Sequence, residues 1–349
     1  MQDKPLTISD INILQIEPTT YCNAKCPHCP RFDSQGNLQP DLNLSHLDVN
    51  AIRNNLELEK MTNLQVVILE GDKGDPIMHP KILEIIDIFA NALSQPEVHL
   101  VTNGSIRSPA WWRQLAEKKY SKLQVVFSID GLKDLNHLYR IGLNYEHIMN
   151  NVRSFISAGG SAIWKFIMFR HNEHQLDEVC ELSKQLGFVQ FEYVPCRLSD
   201  FNGQAQWPVM QNGVVTHYLQ PPQHPRSGII KHIEQNLSFF NVKSIPERIC
   251  PNLSKGQIYI THQNHVIPCC MMHFDTELKY FGTKHLRTMT GGFDQQDLVK
   301  YSISEILNHE FFNSILTDTL KHKKWHFNCA RNCKSQILEN LQLVQSQSN

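Results

Sequence analysis

The chain has 349 residues, 41% of them hydrophobic, and a formal net charge of -1. That length suits one large domain with a smaller appendage and buries a sizeable core. The even charge balance excludes a general nucleic-acid or membrane-surface role, and no apolar run is long enough to span a bilayer.

The first ten residues lack the charged-then-apolar pattern of a signal peptide, so the expected compartment is the cytoplasm. Ten cysteines there are not a disulfide framework, and close clusters of them point to metal or redox chemistry.

In chain order, Ile11 to Ile16 reads as a first strand that runs directly into Cys22, Cys26 and Cys29. Further strands are predicted at Leu64 to Glu70, Val98 to Thr102, Leu123 to Ile129, Ala162 to Phe169 and Val189 to Val194. Helical spacing of apolar residues falls between them at Ser45 to Leu58, Lys81 to Leu93, Pro109 to Lys118, Tyr145 to Ala158 and Gln175 to Leu186. The alternation implies a parallel sheet with right-handed crossovers, an α/β fold in the form of a partial (β/α)6 barrel of the TIM type. In such folds functional residues sit at the carboxyl ends of the strands. The cysteine triplet, Gly71 to Pro76, Thr102-Asn103-Gly104, Ser128 to Gly131 and Cys196 all fall there. The alternative for the Asn-Gly and Asp-Gly pairs is simple turn formation.

Residues 200–248 shift to Gln, Pro, Gly and His with weak periodicity and read as a connecting segment or a lid over the barrel mouth. Beyond it, Gln257 to Ile260 and His265 to Ile267 are predicted as short strands, followed by Cys269 and Cys270. A helix from Ile303 to Leu320 leads to Cys329 and Cys333. The expected division is a barrel over 1–199, the connecting segment, and a small C-terminal α+β domain over 249–349.

Thiolate-rich sites select zinc, copper(I) or iron-sulfur clusters. Three cysteines do not complete a four-thiolate site, whereas a four-iron cluster held by three leaves one iron open to a non-protein ligand. Zinc is the competing reading and needs a fourth ligand.

The Cys-x3-Cys-x2-Cys spacing, with His28 before the last cysteine and a strand-helix array around it, resembles the radical S-adenosylmethionine (SAM) superfamily from Asn12 to Cys196. The resemblance implies a [4Fe-4S] cluster on Cys22, Cys26 and Cys29, with the amino and carboxylate groups of SAM on the open iron. It further implies reductive cleavage of SAM to a 5'-deoxyadenosyl radical, oxygen sensitivity, and an electron donor such as flavodoxin or ferredoxin. The family's Gly-Gly-Glu-Pro motif looks like Lys73-Gly74-Asp75-Pro76, with Lys and Asp as departures, so Gly74 and Asp75 are expected at the methionine amino group. Ser128 and Arg140 stand at the family's spacing for ribose or carboxylate contacts, and His28 is expected near the adenine. A turn and a surface salt bridge are the alternatives for Ser128 and Arg140.

Cys250, Cys269 or Cys270, Cys329 and Cys333 supply four further thiolates, in an order similar to the family's twitch domain, the short relative of the SPASM domain. That similarity implies an auxiliary [4Fe-4S] cluster; a zinc ribbon is the alternative.

Two reactions suit such a site. The first is modification of a peptide or natural-product precursor by hydrogen-atom abstraction, leading to epimerisation or crosslinking. Cys196 is then a candidate hydrogen donor, against the alternative of a cysteine packed in apolar surroundings. Peptide-modifying members often carry an N-terminal leader-binding domain, and only Met1 to Thr20 precedes the triplet, so leader recognition is expected to come from elsewhere. The second is two-electron oxidation of a small alcohol or aminocyclitol, with the auxiliary cluster taking the second electron. A reading from another class is a non-catalytic metal-binding scaffold.

Overall fold

A computed structural model of the chain describes residues 6–27, 29–196, 205–224, 250–272, 293–321 and 333. Six strands follow in chain order: β1 (Ile13–Ile16), β2 (Val66–Leu69), β3 (Glu97–Thr102), β4 (Leu123–Ser128), β5 (Ser161–Met168) and β6 (Gln190–Pro195). Each pairs in parallel with the next. Helices α1 (Val49–Asn55), α2 (Ile82–Ala90), α3 (Pro109–Glu117), a short α4 (Asn136–Tyr139), α5 (Tyr145–Ser157) and α6 (Leu176–Leu186) make the crossovers. The sheet does not close: with two C-terminal strands, β9 (Gln257–Ile260) and β10 (Val266–Ile267), outside β1, its order runs β10-β9-β1-β2-β3-β4-β5-β6, which is the partial barrel expected from the strand-helix alternation.

Side chains alternate across the sheet. Leu14, Ile16, Val67, Leu69, Leu100, Val125, Phe127, Trp164 and Phe166 join the core beneath the helices. The alternate positions put Gln15, His99, Ser128, Lys165 and Glu192 on the other face. Trp112 packs on Phe127 at 5.1 Å and on Phe155 at 5.9 Å between ring centroids, so α3 and α5 close over β4 through one aromatic stack. Burial of this kind contributes about 1.5–3 kcal/mol per large apolar side chain.

Two regions differ from what the sequence suggests. The segment read as an irregular connection contains a hairpin, β7 (Trp207–Gln211) and β8 (Val214–Leu219). Asn212 and Gly213, with φ of 51° and 76°, form its turn, and an Asn-Gly pair between apolar runs is a strong short-range hairpin signal. The expected helix from Ile303 to Leu320 is broken into Ile303–Asn308, a wide π-turn at Phe311–Ile315, and Leu316–Lys321. Phe311 and Phe312 are adjacent and both buried. A regular helix turns neighbours 100° apart, and the wider turn brings both inward.

The two predicted C-terminal strands are present as β9 (Gln257–Ile260) and β10 (Val266–Ile267). They extend the main sheet rather than forming one of their own: β9 lies parallel to β1, with Ile13 opposite Gln257, and β10 is antiparallel to β9. Glu17 N donates to Ile260 O at 3.0 Å and Glu70 N to Ile16 O at 3.0 Å, so the chain leaving β1 is held between its two neighbours.

Candidate active site

The cysteine loop leaves β1 and is strapped on both sides. Leu47 N donates to Pro18 O at 2.9 Å, and Thr20 N donates to Ser45 O at 3.1 Å. Across the loop, Asp75 N donates to Tyr21 O at 2.8 Å and Lys25 N to Ile141 O at 2.9 Å. Arg31 is buried, and its guanidinium donates to Thr20 O and, at 2.6 Å, to Lys73 O. The loop is thereby locked to the segment after β2. Gly74 is required at that junction, because a Cβ there would lie 1.7 Å from Thr19 O.

Cys26 is buried and Cys22 and Cys29 are half-buried. Burial, and then the charge of Asp75, push the Cys22 thiol up to about 12. Burial and then the charge of Cys26 do the same for Cys29. Burial also raises Cys26, with Arg140 opposing it. The three thiols are close enough for the charge of Cys26 to act on both Cys22 and Cys29. They do not gather as a single ion's ligands do: among the described residues, the one trio of ligand atoms within 4.8 Å of one another is Glu70, Asp72 and Cys270. Four thiolates around zinc lie about 3.8 Å apart, whereas a cubane cluster spreads its cysteines further. Donors also point at the sulfurs. Arg140 Nη1 is 3.8 Å from Cys26 Sγ, Asn103 Nδ2 is 3.9 Å from Cys22 Sγ, and Ala24 N is 3.4 Å from Cys22 Sγ. N–H groups aimed at thiolate sulfur are what tune an iron-sulfur cluster, so these residues fit one.

Arg140 follows α4 and is held by Asp130, whose Oδ2 accepts from Nε at 2.5 Å. Asp130 is fully buried; its Oδ1 accepts from Ile167 N at 2.5 Å, which ties it to β5 as well. Burial pushes the Asp130 carboxyl above its ordinary value and Arg140 pulls it back. Asp75, expected at an amino group, spends both oxygens within the protein. Oδ1 accepts from Ile77 N at 3.2 Å and Thr102 Oγ1 at 2.8 Å, and Oδ2 from Asn103 N at 2.8 Å. Ser128 ends β4 on the sheet face away from the helices, opposite Lys165. Cys196 follows β6, its N donating to Met168 O at 2.8 Å, and packs against Phe169, Val209 and Leu219 with Trp207 and Tyr139. His28 lies outside the described residues.

Of the second cysteine group, Cys269 is buried, and burial followed by the charges of Cys250 and Cys333 pushes its thiol up to about 12. Cys250 and Cys333, from distant segments, thus lie near enough for their charges to act on Cys269. Cys329 lies outside the described residues. Cys270 turns away from this group, towards Glu70 and Asp72, whose charges raise its thiol further after burial.

Asp130, Asn103 and Arg31 were not singled out as site residues from sequence. Asp130 lies two residues beyond Ser128, past the end of β4, and as part of an Asp-Gly pair it passes for a turn. Asn103 stands in the Thr102-Asn103-Gly104 strand end, where a plain turn is the alternative, and Arg31 carries no sequence signal, since its role rests on loop contacts. The hairpin also borders the site: His217 Nε2 lies 3.0 Å from Leu138 O, and a cavity of about 240 Å³ between it and the cysteine loop is lined by Lys25, Phe32, Ile141, Trp207 and Met210.

Residues 16–183 match the family model described as the Radical SAM superfamily. Among solved structures, SuiB of Streptococcus suis bound to S-adenosylmethionine is 14% identical, with a TM-score of 0.50 over 76% of this chain. The chain spans 61% of that protein's length. SuiB bound to its precursor peptide SuiA gives a TM-score of 0.51 at 14% identity, over 75% of this chain and 60% of that one. The structure of anSMEcpe with bound AdoMet gives 0.52 at 14% identity over 96% of both chains. These likenesses are of fold. A comparison with curated proteins finds no match.

Proposed function

From the radical SAM superfamily domain that residues 16–183 give this chain, we propose that the protein is a radical SAM enzyme that modifies a peptide or natural-product precursor. The observation that carries the reading is the convergence of Cys22, Cys26 and Cys29 with nitrogen donors from Arg140 and Asn103. Cys22, Cys26 and Cys29 would hold a [4Fe-4S] cluster, and that group would supply the electron for reductive cleavage of bound SAM and hence the means of abstracting a hydrogen atom from an unactivated C–H bond.

The remaining chemistry belongs to this chain's own residues. Arg140 presents a fixed positive charge beside Cys26, suited to a carboxylate, and Asp130 keeps its planar fork in place. Asp75 positions the backbone between Gly74 and Ile77 and fixes Asn103 rather than offering a free carboxylate. Ser128 offers a hydroxyl on the free face of the sheet. The β7–β8 hairpin, tied to α4 through His217, covers one side of the cysteine loop and helps to exclude water, which a carbon radical requires. Cys250, Cys269 and Cys333, with Cys329 as fourth, would hold an auxiliary [4Fe-4S] cluster.

A peptide substrate is favoured by two relatives of similar fold that were solved with peptides, SuiB with SuiA and anSMEcpe with a Cp18Cys peptide. The test is direct: reduced, anaerobically reconstituted protein is incubated with SAM and 5'-deoxyadenosine is measured. Asp130→Asn should slow its release by about tenfold or more, since the arginine is left buried without its partner. Unchanged release would remove Arg140 from the cofactor's side of the site.

A further inference from the structure

We propose that Glu70, Asp72 and Cys270 form a binding site for a divalent cation of the zinc class, separate from both cysteine groups. Two carboxylate oxygens and one thiol sulfur lie within 4.8 Å of one another. They come from distant parts of the chain, the turn after β2 and the residue after Pro268-Cys269, and the pairing of β9 with β1 brings them together.

The surroundings prepare these groups for a ligand. Asp72 Oδ2 is closed off from solvent and meets no donor at hydrogen-bond geometry, with the Tyr259 hydroxyl acting on the carboxyl from beside it. A buried carboxylate oxygen without a donor costs about 1–3 kcal/mol or more, and a bound cation removes that cost. Glu70 is aimed by a relay: Gln257 Nε2 donates to Gln15 Oε1 at 2.9 Å, and Gln15 Nε2 donates to Glu70 Oε1. Such outer contacts orient metal ligands. Glu17, whose carboxylate accepts from Lys73 N at 2.6 Å, adds negative charge without joining the ligand set.

Cys270 decides the class of ligand. An ammonium group would suit two carboxylates and gain little from sulfur, and magnesium or calcium take oxygen ligands in larger number. A thiolate with two carboxylates suits a borderline ion such as zinc, and three protein ligands leave a fourth position for water or an oxygen donor.

The experiment uses the full chain, purified anaerobically with its iron restored, equilibrated with zinc and stripped of loose metal. Elemental analysis should find about one zinc per chain, and X-ray absorption at the zinc edge should show one sulfur at about 2.3 Å with oxygens at about 2.0–2.2 Å. Cys270→Ser and Asp72→Asn should each lose that zinc while keeping the iron. Absence of zinc, a shell of sulfur alone, or zinc retained in both variants would overturn the proposal. If a substitution also strips the iron, the sulfur count in the parent protein's shell decides. None of these readouts depends on SAM cleavage, so the site stands or falls apart from the radical reading.

Discussion

Asp130 and Arg140 show how one buried pair serves both the fold and the site. Asp130 has no exposed side-chain surface, and Arg140 keeps 14% of its own. Removing the charge of Asp130 leaves a guanidinium that cannot shed its proton in a dry place. Asp130→Asn is expected to lower unfolding stability by about 3–5 kcal/mol, measured by urea denaturation. A loss below about 1 kcal/mol would mean that the arginine finds another partner or reaches water. Gly74 acts on the same loop through shape alone. A Cβ placed 1.7 Å from Thr19 O forces the cysteine loop away from the segment after β2. Gly74→Ala should therefore cost on the order of 3 kcal/mol or more and reduce the iron that the protein retains, read by elemental analysis.

At the scale of elements, what the sequence made legible was periodicity. The apolar runs of β1 to β6 and the helices between them stand out because both faces of a parallel sheet must be covered. The cysteine spacing marks the centre of the candidate site, since three thiolates in eight residues have few other uses. The supporting contacts were not legible. Asp75 stands where the resemblance places a ligand-facing carboxylate, and the end of β3 supplies it with Thr102 and Asn103 as donors, a pairing 27 and 28 residues away. Cys269 and Cys270 are indistinguishable in sequence, and only the turn after β10 sends one towards Cys250 and the other towards Glu70. The hairpin at Asn212-Gly213 could have been read, and the surrounding Gln and Pro content concealed it. The edge formed by β5 and β6 gives a prediction of its own. Lys165 and Glu192 are opposite in register, and burial pushes the Glu192 carboxyl up to about 7 despite the lysine. A folded-state value above the unfolded one means the folded protein holds the proton longer, so Glu192 reduces stability as pH rises from about 4.5 to about 7. Glu192→Gln should gain melting temperature relative to the parent across that rise. A difference that does not change with pH would place the carboxylate in water.

For the molecule as a whole, the strand order explains why so many segments reach one rim. The parallel strands β1 to β6 send their carboxyl ends to the same side, and β9 runs parallel beside β1 with Ile260 against the chain that leaves it. Cys22, Asn103, Asp130 and Arg140 are thus gathered from four places by one sheet. On the proposed function, this rim makes a radical from SAM. The most direct measurement is 5'-deoxyadenosine released by reduced, anaerobically reconstituted protein, compared with Cys26→Ala. Release that the substitution abolishes is the predicted result. Release that persists in Cys26→Ala, or a colourless parent protein that takes up no iron and releases none, would contradict the account.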